Sequence, residues 1–93
     1  MEYKIYQMTK RTDYRFEGWE WAKDYFDMND YTCMYDGSIR DGEVYDMLES
    51  LFVMFNVNRP EDFRGHSLSV SDVVSLEGRL FYCDTCGWVE VKQ

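Results

Sequence analysis

The chain has 93 residues, of which 45% are hydrophobic and 18% aromatic, and its formal net charge at pH 7 is −8. This composition is typical of a folded protein, and we expect a single domain over residues 1–93. The excess of acidic residues argues against direct binding to a nucleic-acid backbone or to an anionic membrane surface, because both rely on basic side chains. It is compatible with a basic protein partner, and it also favours solubility.

Neither a membrane-spanning segment nor a secretory leader is predicted. The sequence has no apolar run near the ~20 residues that cross a bilayer. Polar and charged residues interrupt the N-terminal sequence MEYKIYQMTKRTDYRF, unlike the apolar core of a signal peptide. The three cysteines form an odd set without secretory context, which favours reduced thiols. These features predict a cytoplasmic protein.

The first half of the chain predicts two strands and one helix. Alternating side chains over residues 3–8 predict the first strand. A helix is predicted from about 18 to 28, because Trp19, Ala22, Tyr25 and Phe26 fall at helical spacing and can form one apolar face. Residues 31–35 are rich in aromatic residues and predict a second strand, closed by a turn at 36–37.

The second half predicts one long helix and three strands. The helix is expected over residues 42–55, with Asp41 as its N-cap, and its core-facing residues are Val44, Leu48, Leu51, Phe52 and Phe55. Strands at 70–76, 79–83 and 88–91, joined by turns at 77–78 and 84–87, predict an antiparallel meander. The predicted fold class is α+β, in which a small antiparallel sheet of the N-terminal strands and the three-stranded meander packs on two helices.

The sequence RPEDFRGHSLSVSDVV, residues 59–74, contains the only proline and the only histidine of the chain. Its alternation over 67–71 predicts an extended segment with one buried face. His66, the serines and Asp72 supply the residue types of a hydrolase triad. However, the three serines would lie on one face of a strand, and no nucleophile-elbow motif accompanies them. We therefore expect these side chains to satisfy backbone groups, with Asp72 accepting hydrogen bonds from backbone amides near the strand start.

Several blocks of the sequence carry a family resemblance. They are the strand YKIYQM, the following Tyr14-Arg15-Phe16, the block FNVNRPEDFRGHSLSVSDVVSL and the closing FYCDTCGWVEV. Together they resemble the YodL-like domain of Firmicutes, their phages and their mobile elements, over nearly the whole chain and most weakly from 19 to 41. The resemblance implies a small accessory module without an established enzymatic activity. Cys83 and Cys86 depart from the family pattern, which argues against a family-wide metal site.

The pair Cys83 and Cys86 forms a CxxC motif, and with Cys33 and His66 it has the residue types of a zinc site. A strong zinc signal needs two such pairs at matched spacing, and a redox-active pair opens a helix, whereas this one lies in a predicted turn. We therefore expect no metal and no cofactor. The alternative function is a small zinc-binding or structural domain that uses these four residues.

Acidic residues recur at steps of three and four between residues 13 and 30. On a continuous helix they would line one face, where they either imitate a row of phosphates or simply face solvent. Trp21 falls outside the apolar stripe, and tryptophan is enriched among interface anchors. The leading hypothesis is a non-enzymatic protein that binds a protein partner, such as a basic nuclease or a nucleic-acid-binding effector. Its sharper form is an anti-CRISPR or anti-restriction inhibitor that occludes a nucleic-acid groove. The predicted partner-binding residues are Glu17, Glu20, Trp21, Asp24, Asp27 and Asp30.

Overall fold

A computed structural model describes residues 1–10 and 12–92. Its elements in chain order are β1 (Glu2–Met8), α1 (Trp19–Ala22), a 3₁₀ turn (Met28–Asp30), β2 (Tyr31–Ser38), α2 (Val44–Val57), β3 (Val73–Leu76), β4 (Arg79–Cys83) and β5 (Trp88–Val91). The five strands form one sheet in the order β2-β1-β3-β4-β5, and all pairs are antiparallel. The predicted α+β class is confirmed, with β1 joining the N-terminal pair to the C-terminal meander.

Helix α2 covers one face of the sheet. Of the predicted stripe it buries Leu48, Leu51 and Phe55 in a core that includes Ile5 and Phe81, whereas Val44 and Phe52 are partly buried. The helix begins two residues later than predicted, because its N-cap is a different acid, and it ends two residues later, at Val57. The carboxylate of Glu43 accepts a hydrogen bond of 3.0 Å from the amide of Asp46. Asp41 instead lies 3.3 Å from the N-terminal ammonium group.

Residues 12–30 cover part of the opposite face, and we call them the covering segment. Helix α1 within it is shorter than predicted, since it ends at Ala22 rather than at residue 28. The hydroxyl of Tyr14 contacts both the amide and the carbonyl of Asp27 at 3.2 Å, and Asp27 has an extended backbone with φ of −147°. Tyr14 thus holds the chain extended at Asp27, where the predicted helix would have continued to residue 28.

Strand β2 continues through the predicted turn at 36–37. Asp36 pairs with Lys4, and Gly37 pairs with Tyr3. A Cβ atom at Gly37 would lie 2.9 Å from the hydroxyl oxygen of Tyr3. The glycine therefore makes room for a buried tyrosine ring, and it does not mark a turn.

Strand β3 begins at Val73, later than predicted, because residues 69–72 form a turn. The amide of Asp72 donates to the carbonyl of Ser69 at 3.0 Å, and the amide of Ser69 donates to Asp72 Oδ2 at 2.8 Å. The expectation that Asp72 accepts a backbone amide is thus confirmed. Within the turn Ser71 has a positive φ of 81°, so the extended segment predicted over 67–71 is wrong at its end.

Candidate protein-binding surface

Three aromatic rings on the covering segment face solvent. Phe16, Trp21 and Tyr25 are 56%, 46% and 55% exposed, and we call them the aromatic surface. Trp21 and Tyr25 stack on each other, with ring centroids 4.8 Å apart and planes 30° apart. The guanidinium carbon of Arg15 lies 4.9 Å from the centroid of the Phe16 ring. Large aromatic side chains are normally buried, and exposed ones are enriched among the anchors of protein interfaces.

Contacts to the sheet fix the backbone before Trp21. The hydroxyl of Tyr82 in β4 donates to the carbonyl of Glu17 at 2.6 Å. The amide of Trp19 donates to Asp84 Oδ1 at 3.0 Å. The Trp19 ring packs on Tyr82 with centroids 4.9 Å apart. Trp21 therefore projects from an anchored backbone, and less conformational entropy is lost when such a side chain binds.

Contacts after Trp21 hold the other end of the covering segment. Ala22 is fully buried, and the Phe26 ring lies 5.4 Å from the Trp19 ring. The hydroxyl of Tyr14 donates to Asp30 Oδ2 at 2.8 Å, and burial raises the pKa of Tyr14 to about 12. The hydroxyl therefore stays protonated at neutral pH, so it remains a donor. The Phe26 ring also packs on Tyr31 of β2 and Tyr82 of β4, with ring centroids 5.6 and 6.0 Å apart, so the segment is tied to the sheet on both sides of the exposed pair.

The backbone of Phe16 is strained. Its φ of 68° lies in the left-handed region, which a bulky side chain rarely adopts. The amide of Phe16 donates to Ser71 Oγ at 2.9 Å, and the carbonyl of Ser71 accepts from the hydroxyl of Tyr31 at 2.6 Å. The strain persists because these contacts fix the backbone while the ring itself points into solvent.

The structure places the predicted partner-binding acids in two groups. Glu17, Glu20 and Asp24 are exposed near the aromatic surface, and Glu20 has only an exposed ion pair of 3.4 Å with Lys23. Asp27 and Asp30 hold the covering segment together. Asp27 Oδ1 accepts from the amide of Asn29 at 2.9 Å, and Asp30 accepts from Tyr14. Because α1 spans four residues, the acids do not form the stripe of a continuous helix.

The sequence indicated one of the three exposed rings. Trp21 lies outside the apolar stripe and is exposed, as its position predicts. Tyr25 was assigned to the buried face of a helix, and that assignment is wrong because the helix ends before it. No periodic pattern in the sequence indicates that Phe16 is exposed. Its orientation depends on the hydrogen bond between its amide and Ser71, which is distant in sequence.

The residues of the alternative zinc site are not brought together. Cys33 lies on β2 and Cys83 on β4, with β1 and β3 between these strands. Burial raises the pKa of the Cys83 thiol to about 12, which opposes the thiolate that zinc requires. Within residues 1–10 and 12–92, no group of three or more His, Cys, Asp and Glu side chains is placed to hold a metal ion.

Three comparisons with known proteins bear on the family. The family model of the YodL-like domain matches residues 2–93. No curated protein and no solved structure matches the chain. In the part of the chain that the structure describes, no helix is long and apolar enough to cross a membrane. Because the family model covers all five strands and both helices, the chain belongs to the YodL-like domain family.

Proposed function

We propose that this YodL-like domain is a non-enzymatic protein-binding module that contacts its partner through the aromatic surface and the acids beside it. The observation that carries the proposal is the Phe16 ring, which is 56% exposed on a backbone with φ of 68°. Strain of this kind is concentrated at functional sites. Burial of the ring in a partner would offset what the strained backbone costs the free protein.

The chemistry of the surface favours a basic partner. Glu17, Glu20 and Asp24 are exposed and lie within four residues of Trp21 or Tyr25 in the sequence. Carboxylates attract lysine and arginine, and an aromatic face that is not already covered, as that of Phe16 is by Arg15, binds the same cations. The net charge of −8 adds long-range attraction to a positive surface, which accelerates encounter and makes association sensitive to salt.

The sharper form of the proposal is inhibition of a host defence nuclease. A nuclease carries a basic groove that holds nucleic acid, and a small acidic domain seated there would block access. Acidity, small size and the phage or mobile-element setting implied by the family support this form. The inhibitor would act in the cytoplasm, would bind no nucleic acid directly and would need no cofactor.

The experiment is an affinity capture from host lysate at low salt, with elution in salt steps and identification by mass spectrometry. Each captured protein is then purified and its affinity is measured by calorimetry. The test variant is Trp21→Ala with Tyr25→Ala. The matched control is Val53→Ala with Val57→Ala, because these valines of α2 are also exposed, at 57% and 80%, but lie outside the covering segment.

We expect the wild type and the valine control to bind the purified partner equally. The aromatic variant should bind at least about tenfold more weakly, as expected for the loss of interface anchors. Replacing Glu17, Glu20 and Asp24 by their amides should weaken binding mainly at low salt. Equal affinity of the aromatic variant and the control would contradict the proposal. A partner released only by denaturant would contradict its electrostatic part.

A further inference from the structure

A cavity of about 230 Å³ opens between α2 and the turn that joins β4 to β5. It is smaller than the ~300–1,000 Å³ of sites that hold drug-sized ligands, so it suits a single side chain better than a cofactor. Two aromatic rings line it, those of Phe52 in α2 and Trp88 in β5, with planes at 83° and centroids 6.4 Å apart. The lining also includes two acidic residues, Glu49 and Asp84.

Both acids are held in place by hydrogen-bond donors of the fold. The indole Nε1 of Trp88 donates to Glu49 Oε1 at 3.0 Å. The amides of Trp19 and Thr85 donate to Asp84 Oδ1 at 3.0 and 2.8 Å. These bonds engage one oxygen of each carboxylate, and an ionised carboxylate can accept further donors at the other. None of the ion pairs among the described residues includes either acid.

A third polar group at this cavity is the thiol of Cys83, a residue that is 4% exposed. Burial raises the pKa of this thiol to about 12, and the negative charges of Asp72, Glu49 and Asp84 add to the rise. The thiol is therefore neutral at pH 7 and lies where the two cavity acids act on it. No lysine, arginine or histidine is among the described residues that line the cavity. A cation that entered would meet carboxylates and aromatic rings without a competing positive charge.

The cavity borders the covering segment. Asp84 binds the amide of Trp19, and a Cβ atom at Gly18 would lie 3.1 Å from Asp84 Oδ1 and 3.4 Å from Cγ2 of Thr85. Trp21 follows Trp19 in the same short helix. A partner that covers Trp21 therefore lies close to Asp84 at the rim of the cavity.

We propose that this cavity binds an arginine side chain of the protein partner, with the guanidinium held by Glu49 and Asp84 beside the rings of Phe52 and Trp88. A guanidinium is planar and weakly hydrated, it stacks on aromatic rings, and it donates to carboxylates. The ammonium of lysine is more strongly hydrated, so its transfer into a partly apolar cavity is less favourable. That the arginine belongs to a partner rests on the proposed function, whereas the affinity of the cavity for an arginine side chain does not.

The test is an NMR titration of the free protein at low salt with arginine that is acetylated and amidated at its ends. The signal followed is the indole N–H of Trp88, because this group bonds Glu49 at the cavity. Capped citrulline is the matched neutral ligand, since it has nearly the same shape without the charge. We expect capped arginine to shift the Trp88 signal saturably, less so at high salt, and citrulline to leave it unchanged. The indole N–H of exposed Trp21 is the internal reference and should shift less.

Glu49→Gln tests the charge of the cavity. Glutamine keeps an oxygen that can accept from the Trp88 indole, and residue 49 is exposed on α2, so the variant should fold. The matched control is Glu61→Gln, which removes one charge from an exposed residue outside the cavity. We expect Glu49→Gln to weaken the binding of capped arginine by about fivefold and Glu61→Gln to change it by less than about twofold.

The absence of a shift, or equal shifts with capped arginine and capped citrulline, would overturn the inference. An equal loss in the two glutamine variants would overturn it as well, because binding would then follow net charge alone. Tighter binding of capped lysine would contradict the choice of arginine. The titration uses no partner. Its failure leaves the aromatic surface as the proposed contact, and a failure to capture a partner leaves the arginine site intact.

Discussion

Phe16 and Ser71 both adopt the left-handed backbone conformation, with φ of 68° and 81°, and they are joined directly. The amide of Phe16 donates a hydrogen bond of 2.9 Å to Ser71 Oγ, across 55 positions of sequence. Each such conformation costs about 1–3 kcal/mol in a non-glycine residue. The strained backbone therefore lowers the stability of the fold while it presents Phe16 outward, and the ring itself has one favourable contact there, with the guanidinium of Arg15 at 4.9 Å.

Replacing Phe16 by glycine should separate stability from binding. Glycine adopts a positive φ without strain, and the exposed ring contributes little to the core. We expect the free energy of unfolding of Phe16→Gly to be unchanged or to rise by about 1 kcal/mol, while affinity for the partner falls. Urea unfolding and calorimetry measure the two quantities.

The matched control for this glycine variant is Phe16→Ala. Alanine removes the same ring but keeps the Cβ atom, so the strain remains and no gain in stability is expected. Both variants should lose binding equally. A loss of more than about 1 kcal/mol in both would mean that the ring packs structurally, and the interpretation of Phe16 as a binding residue would be wrong.

Gly65 should tolerate no side chain. A Cβ atom there would lie 2.1 Å from Gln7 Oε1 and 2.6 Å from Cζ of Phe63, and both partners are buried. We expect Gly65→Ala to lower the free energy of unfolding by about 1–3 kcal/mol. Gly42→Ala is the control, because its Cβ would meet only the mobile end of Met47, at 2.8 Å. If both variants lose the same free energy of unfolding in urea, the close approach of Gln7 to Gly65 is not the cause of the loss.

Local patterns predicted the parts of the fold that depend on local interactions. The apolar residues that predict α2 lie within the helix itself. The turn residues that predict the meander lie directly between its strands. The extended backbone at Asp27, which excludes the predicted helix up to residue 28, could not be predicted in this way, because the hydroxyl of Tyr14 holds it. The start of β3 depends on the turn that Asp72 closes, and Asp72 is held by Gln7 from 65 positions away.

In the candidate site, too, only the features that depend on local sequence could be predicted. The position of Trp21 off the apolar stripe follows from spacing alone. The exposure of Tyr25 follows only once the early end of α1 is known. Asp72 was visible as a residue type, but its burial against Gln7 depends on the tertiary placement of β1.

The three cysteines should differ in reactivity. Cys33 and Cys86 are exposed, whereas Cys83 is buried. Burial and the charge of Asp72 raise the pKa of the Cys83 thiol to about 12, and only the thiolate reacts with alkylating reagents. Native protein treated with iodoacetamide at pH 8 should show modification of Cys33 and Cys86 alone by mass spectrometry, with Cys83 reacting after unfolding. Rapid modification of native Cys83 would contradict its burial.

The stability of the domain should decrease as the pH rises through about 6. The pKa of Asp72 in the folded chain is about 6, above the 3.8 of an unperturbed carboxyl, so the folded state binds this proton more tightly than the unfolded state. The stabilisation is complete below the pKa that Asp72 has in the unfolded chain. It is lost as the pH rises through the pKa of Asp72 in the folded chain. Glu90 opposes this change only slightly above pH 5, because Arg79 lowers its pKa to about 2 in the folded chain and a carboxyl of pKa 4.5 is already mostly ionised in the unfolded chain. Between pH 5 and pH 7.5 the free energy of unfolding in urea should fall by on the order of 1 kcal/mol. Asp72→Asn should remove this slope, and an unchanged slope would show that another group is responsible.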